Sequence, residues 1–371
     1  MTSGPANPRP IPILIDCDTG IDDSLALLYA AGSPEAEIVA VTCCSGNVEA
    51  HQVAGNTRAV LELAGRPDIE VALGRTVPLV RPLEITPETH GPKGLGYAEL
   101  PQPSRPLSDR HAADLIVEEA RRRPGEITMV TLGPLTNLAV AVEREPELPR
   151  LLRRLVIMGG SYRSPGNTAP TTEWNIHCDP EAAKAVLTAW AAAAVADASG
   201  APAAKPGSGT VSRPLALGLD VTERAKITPD HVVALARRAG SRPDDSIVLA
   251  RDEDPMHATR SVARDPVVRF VADALRFYME FHSRYDGFYG AFIHDPLALA
   301  AALDPGLVRT EALTVDIELA GTLTTGETVT DWRRVWGRPP NLDIAVEADA
   351  DDFLARLIER IGGLAARLAA G

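Results

Sequence analysis

Short, almost wholly apolar runs alternate along this chain with longer stretches in which apolar positions recur every three or four residues. The runs at residues 12–16, 37–44, 69–74, 127–133 and 154–160 are rich in Ile, Val and Leu and lack the polar alternation of a half-exposed strand, which predicts strands buried on both faces. Between them, residues 22–31, 49–64, 109–122, 134–143 and 179–190 carry the helical period. Strand followed by helix, repeated, predicts an α/β fold: an open, mainly parallel sheet with crossover helices on its faces. In such sheets the ligand crevice lies beyond the carboxyl ends of the strands.

Two stretches break this rhythm. Residues 191–214, AAAAVADASGAPAAKPGSGTVSRP, offer little to pack and read as a flexible surface insertion. Residues 241–266 are charged and loop-like, a segment long enough to serve as a lid. Strand and helix signals resume after each, and no internal repeat is found. The expectation is therefore a single domain over residues 11–371, preceded by a disordered tail at residues 1–10.

Composition narrows the classes of partner. Lys and Arg total 37 against 50 Asp and Glu, a net charge of −13, which disfavours nucleic acid and anionic membrane surfaces. The four cysteines, at positions 17, 43, 44 and 178, form no C-x-x-C pair and sit in or beside apolar runs, as buried thiols of a reduced compartment do. No export-type apolar segment opens the chain, and no run reaches the roughly 20 apolar residues of a membrane span. A cytoplasmic protein acting on a small molecule is expected.

Candidate chemistry begins at the end of the first apolar run, where residues 16–23 read DCDTGIDD. Asp16 and Asp18 share one side of an extended strand, Gly20 allows a sharp turn, and Asp22 and Asp23 open the next helix, where the dipole favours negative charge. Capping and solvation explain some of these charges. They do not explain four, because two carboxylates about 4 Å apart repel by roughly 4 kcal/mol at an effective dielectric near 20. A bound cation removes that repulsion, and an oxygen-only donor set suits calcium or magnesium rather than zinc. An EF-hand is excluded, since twelve-residue frames from Asp16 or Asp18 end at Leu27 and Tyr29 instead of Glu. The D-x-D-x-T pattern also resembles haloacid-dehalogenase-like phosphatases. Those need a lysine beside the phosphate and a later strand ending in paired acids, and this chain has only Lys93, Lys184, Lys205 and Lys226 and no such pair.

Further polar segments follow later strands and should reach the same crevice: the loop with Asn47, the turn after Leu132, the loop holding Met158, Asn167, Glu173 and Asn175, and His294 with Asp295 before a Pro-initiated helix. In series, DCDTGIDD, GNVEAHQVAGN, HGPKGLG, LGPLTNLA, IMGGS, EWNIHCDPEAA and HDPLALAAAL resemble the inosine-uridine-preferring nucleoside hydrolases, which cleave ribonucleosides to free base and ribose.

The resemblance implies roles position by position. Asp18, Asp23, the Leu132 carbonyl and Asp295 would hold one calcium ion. Asp22 and Asn175 would bond the ribose 2′- and 3′-hydroxyls, Asn167 and Glu173 the 5′-hydroxyl, and Met158 would pack on the sugar. Asp18 would take a proton from the metal-bound water, and Asn47 would help orient that water or the aspartate that activates it. His90 and His294 would face the base, His294 supplying its proton near neutral pH. The aromatic wall of the base pocket would come from Tyr285, Phe288 or Tyr289. A homodimer or homotetramer is implied as well. The alternative function is a nucleoside- or ribose-binding protein with altered catalysis, against which the set Asp18, Asn47 and His294 argues, since a binder has no use for a water-activating base.

Overall fold

The computed structural model describes residues 9–199, 211–242 and 259–371. The outer tail, at residues 1–8, and the centres of both expected insertions lie outside them.

Eight strands form one sheet: β1 (Ile11–Cys17), β2 (Ala36–Cys43), β3 (Val71–Leu73), β4 (Thr128–Thr131), β5 (Arg154–Met158), β6 (Leu215–Leu217), β7 (Val308–Leu313) and β8 (Leu342–Ala348), in the spatial order β3-β2-β1-β4-β5-β6-β8-β7. Every pairing is parallel except that of β8 with β7. All five strands expected from apolar runs are present, and the order reverses at β1, where β2 lies on one side and β4 on the other. That reversal opens the crevice in which a doubly wound sheet binds its ligand.

Both faces are covered. Ile13, Ile15 and Cys17 of β1 join a core with helices α1 (Ile21–Gly32), α6 (Pro266–Tyr285), α7 (His294–Leu303) and α8 (Ala350–Ala370). Leu14 faces the opposite core with α3 (Ala112–Arg122), α4 (Thr136–Arg144) and α5 (Pro180–Ala198). Helix α2 (Ala50–Leu63) packs beside α1 on the first face. The unbroken apolar runs follow from this two-sided burial.

The two insertions are smaller than the composition implied. Residues 191–198 continue α5 to Ala198, because an alanine run is the strongest helix-forming sequence available. At the end of the second stretch, Ser261, Ala263 and Asp265 are buried. The Ser261 N–H donates to Asp273 Oδ1 at 2.7 Å, and Asp265 Oδ1 caps α6 by accepting from the N–H groups of Val267 and Val268 at 2.9 and 3.0 Å. No described helix is long and apolar enough to cross a membrane.

Candidate active site

Only three residues, 18–20, separate β1 from α1, so the acidic stretch is folded tightly over the strand end. Asp16 belongs to the sheet. Its Oδ1 accepts from Thr42 Oγ1 at 2.5 Å and Asn137 Nδ2 at 2.9 Å, its Oδ2 is buried without a partner among the described residues, and burial raises its pKa to about 7.

Asp18 is packed between two glycines. A Cβ on Gly46 would stand 2.0 Å from Asp18 Oδ2, and one on Gly133 would stand 2.5 Å from Oδ1, so neither site tolerates a side chain. The Asn47 N–H donates to Asp18 Oδ2 at 2.7 Å. Gly20 serves the same end. Its φ of −96° is open to any residue, and the turn expected of it makes no demand for glycine; the demand comes from His90 Nδ1 and Asn47 Nδ2, which a Cβ would meet at 2.6 and 2.7 Å.

Asp23 combines both roles weighed from the sequence. Its Oδ2 accepts from the Gly20 N–H at 2.8 Å and Asn47 Nδ2 at 3.1 Å, and its Oδ1 from the Asp18 N–H at 3.2 Å, which secures the start of α1. It also gathers with Asp22 and with Asp295, at the start of α7, so that one carboxylate oxygen from each lies within 4.8 Å of the others. Asp18 is not one of that trio, although its charge raises the pKa of Asp295. All four are almost fully buried. Burial first, and mutual repulsion after it, holds the carboxyls of Asp18, Asp22 and Asp295 above their ordinary range, Asp22 at about 8, while burial raises that of Asp23. Hard oxygen donors crowded together, with no lysine or arginine among the described residues lining the cavity, form a donor set that fits calcium or magnesium.

Asp22 and Asp295 of this trio line a cavity of about 490 Å³. Asp22, Asn47, His90, Leu132, Met158, Asn167, Glu173, Asn175, His294 and Asp295, all expected from the sequence, line it together. Several are already engaged. Asn175 Nδ2 donates to the Leu132 carbonyl at 2.6 Å and to the Met158 carbonyl at 3.2 Å. Glu173 caps the short helix Trp174–Cys178, accepting from the N–H groups of Asn175, Gly160 and Ile176 at 2.8, 2.9 and 3.1 Å. Exposed Asn167 stands at the mouth, its Oδ1 accepting from the Trp174 N–H at 3.0 Å.

One wall of the cavity is a chain of rings. His90 meets Tyr278 at 5.3 Å between centroids, Tyr278 meets His282 at 4.7 Å, His282 meets Phe292 at 4.8 Å, and Phe292 meets His294 at 6.0 Å. Of the three aromatics expected there, Tyr285 lines the cavity, whereas Phe288 packs behind His282 and Phe292 and Tyr289 packs against the core. The wall is drawn instead from Tyr278, Phe281 and His282 of α6 and from Phe292. A signal existed: Tyr278, Phe281, His282 and Tyr285 follow one another at helical spacing. Trp174, Glu223 and Asp286 also line the cavity and were not singled out.

Both expected base-facing histidines are neutral. Ile21 N–H donates to His90 Nδ1 at 3.1 Å, and burial, with His294 and His282 nearby, lowers the His90 pKa to about 3. His294 Nδ1 pairs with Thr222 Oγ1 at 2.8 Å, and burial, then His282, lowers its pKa to about 3 also. Burial thus disfavours the imidazolium expected near neutral pH.

Residues 13–355 match the inosine-uridine preferring nucleoside hydrolase family. The chain is 35% identical over 352 residues to the pyrimidine-specific ribonucleoside hydrolase RihA of Salmonella gallinarum, covering 95% of this chain and 98% of that protein. It is 36% identical over 361 residues to the inosine-uridine preferring nucleoside hydrolase of Leishmania major, with 95% and 99% covered. Among solved structures, the purine-preferring ribonucleoside hydrolase of Gardnerella vaginalis superimposes with a TM-score of 0.79 at 28% identity, over 96% of this chain and 99% of that one. With its fold and nearly its whole length in agreement, the chain belongs to the inosine-uridine preferring nucleoside hydrolase family, enzymes that hydrolyse N-glycosyl bonds.

Proposed function

We propose that this enzyme is a calcium-dependent ribonucleoside hydrolase that releases free base and ribose. The observation that carries the reading is the buried group Asp22, Asp23 and Asp295 beside a cavity with a wall of rings, matching a polar sugar joined to a flat base.

Asp18, Asp23, Asp295 and the Leu132 carbonyl would hold the ion, which when bound supplies a Lewis acid that lowers the pKa of water and fixes vicinal hydroxyls. Asp18 takes the proton from the attacking water. Its Oδ2 is already tied to the Asn47 N–H, so Oδ1 is the oxygen left to act as base. Asp22 and Asn175 orient the 2′- and 3′-hydroxyls, and Asn167 and Glu173 the 5′-hydroxyl, with Met158 against the sugar face. Cleavage develops positive charge on the ribose, which the surrounding carboxylates stabilise. The departing base accumulates negative charge on its ring nitrogen. His294, whose Nδ1 pairs with Thr222 Oγ1, is the residue that would meet this charge, and His90 lies along the same wall.

The test is release of reducing sugar from inosine, uridine, cytidine and adenosine, with calcium and with a chelator. Calcium-dependent release is expected; silence across the panel from calcium-loaded protein would overturn the reading in favour of a binding protein. A cytoplasmic homodimer or homotetramer is the proposed form, and light scattering that returned a monomer would remove the oligomer from it.

A further inference from the structure

The charged side chains lining the cavity are all carboxylates among the described residues: Asp22, Glu88, Glu173, Glu223, Asp286 and Asp295. Asp22 and Asp295 belong to the acidic group. Glu173 spends both oxygens on backbone N–H groups, Asp286 Oδ2 pairs with His282 Nδ1 at 2.7 Å, and Glu88 is exposed.

Glu223 differs from these. It is half-buried, lines the same cavity as His294, and directly follows Thr222, whose hydroxyl pairs with His294 Nδ1. Its carboxylate has no hydrogen bond or ion pair among the described residues. Lys226, three residues on, has its ammonium over the rings of Phe288 and Phe292, at 4.9 and 5.4 Å from their centroids. An uncommitted acceptor beside a ring-lined slot distinguishes bases by what they present. An exocyclic amino group donates to a carboxylate, whereas an oxo group in the same place sets two acceptors against each other.

We infer that Glu223 is a specificity-determining residue whose carboxylate accepts a hydrogen bond from the exocyclic amino group of the base, favouring amino-bearing ribonucleosides over their oxo counterparts. The inference rests on the hydrolase reading above and names the substrate class that this site prefers. Burial, together with the charges of Asp286 and Asp220 and against that of Lys226, raises the Glu223 pKa to about 7, so the acceptor form gains ground on the alkaline side of neutrality.

The experiment compares kcat/KM within two pairs, cytidine with uridine and adenosine with inosine, at pH 8 in calcium-loaded wild type and in the variants Glu223→Gln and Glu223→Ala. The amino member of each pair should lead by about tenfold in wild type, and both variants should bring the ratio toward one. Because each ratio is taken within one protein sample, partial misfolding of a variant cancels. A wild-type preference for the oxo members, or ratios unmoved in both variants, would overturn the inference. Failure of the hydrolase reading has a different signature, no turnover of any of the four. In that event calorimetric Kd ratios for cytidine and uridine, in wild type and the same variants, decide the inference on the same criterion.

Discussion

The acidic group and the ring wall of the cavity are built by different means. Among the acids, Asp18 follows β1 directly, Asp22 and Asp23 open the helix after it, and backbone N–H groups of Asp18, Gly20 and Asn47 hold carboxylates in place, with glycines 46 and 133 pressed against Asp18. At the ring wall, side chains of α6 and the segment after it line the cavity, and Tyr285 is 57% exposed. Backbone donors anchored in a buried sheet have one arrangement open to them. Rings on a helix end can repack around different bases. The acidic group is thus the fixed part of the site, and the ring wall the adaptable one.

Breaking this comparison should be easiest at Asp18. An Asp18→Asn change is expected to lower kcat by about 10²- to 10⁴-fold, the usual contribution of a positioned general base, with ribose still bound; retained kcat in steady-state assays would move the base function elsewhere. Gly133→Ala comes next, because its new methyl would lie 2.5 Å from Asp18 Oδ1. We expect a loss of about tenfold or more in kcat with little change at the ring wall, read as an unaltered rank order among nucleosides. At the ring wall, Phe281→Ala should act in the opposite sense, raising KM by about tenfold while kcat holds, since base–aromatic stacking is worth about 1–3 kcal/mol. Equal loss of kcat at both places would erase the distinction.

The smallest expected effect is on stability. The Asp16 and Asp22 carboxyls are raised to about 7 and about 8 by burial, so without a cation the folded protein holds protons that the unfolded chain has released. Stability of chelated protein should therefore be highest in mild acid and fall by a few degrees in Tm as pH rises through 7 to 8. Added calcium should restore it, as any ligand of the native state alone does. Calorimetric scans at pH 5 and 8, with and without chelator, check the sign.

Much of the fold was legible before the structure. Unbroken apolar runs identified β1 to β5 because two-sided burial removes polar alternation, and DCDTGIDD marked the crevice because a strand, a turn and a helix start are all local features. The alanine run at 191–198 misled because small residues that suggest a linker are also the best helix formers. What sequence alone determined, then, is the α/β alternation, the strand-end position of the acids and the residue types able to hold a hard cation. Tertiary structure decided which acids meet. Asp295 reaches Asp22 and Asp23 only because α7 docks against α1, and Asp18 is fixed by the Asn47 N–H and the close approach of Gly46 and Gly133, which come from other strand ends. It also decided that Tyr278, Phe281 and His282 face the ligand while Phe288 and Tyr289 turn away. The physical reason is the same in each case: spacing along the chain sets which face of an element a side chain occupies, but what lies opposite that face depends on how distant elements pack.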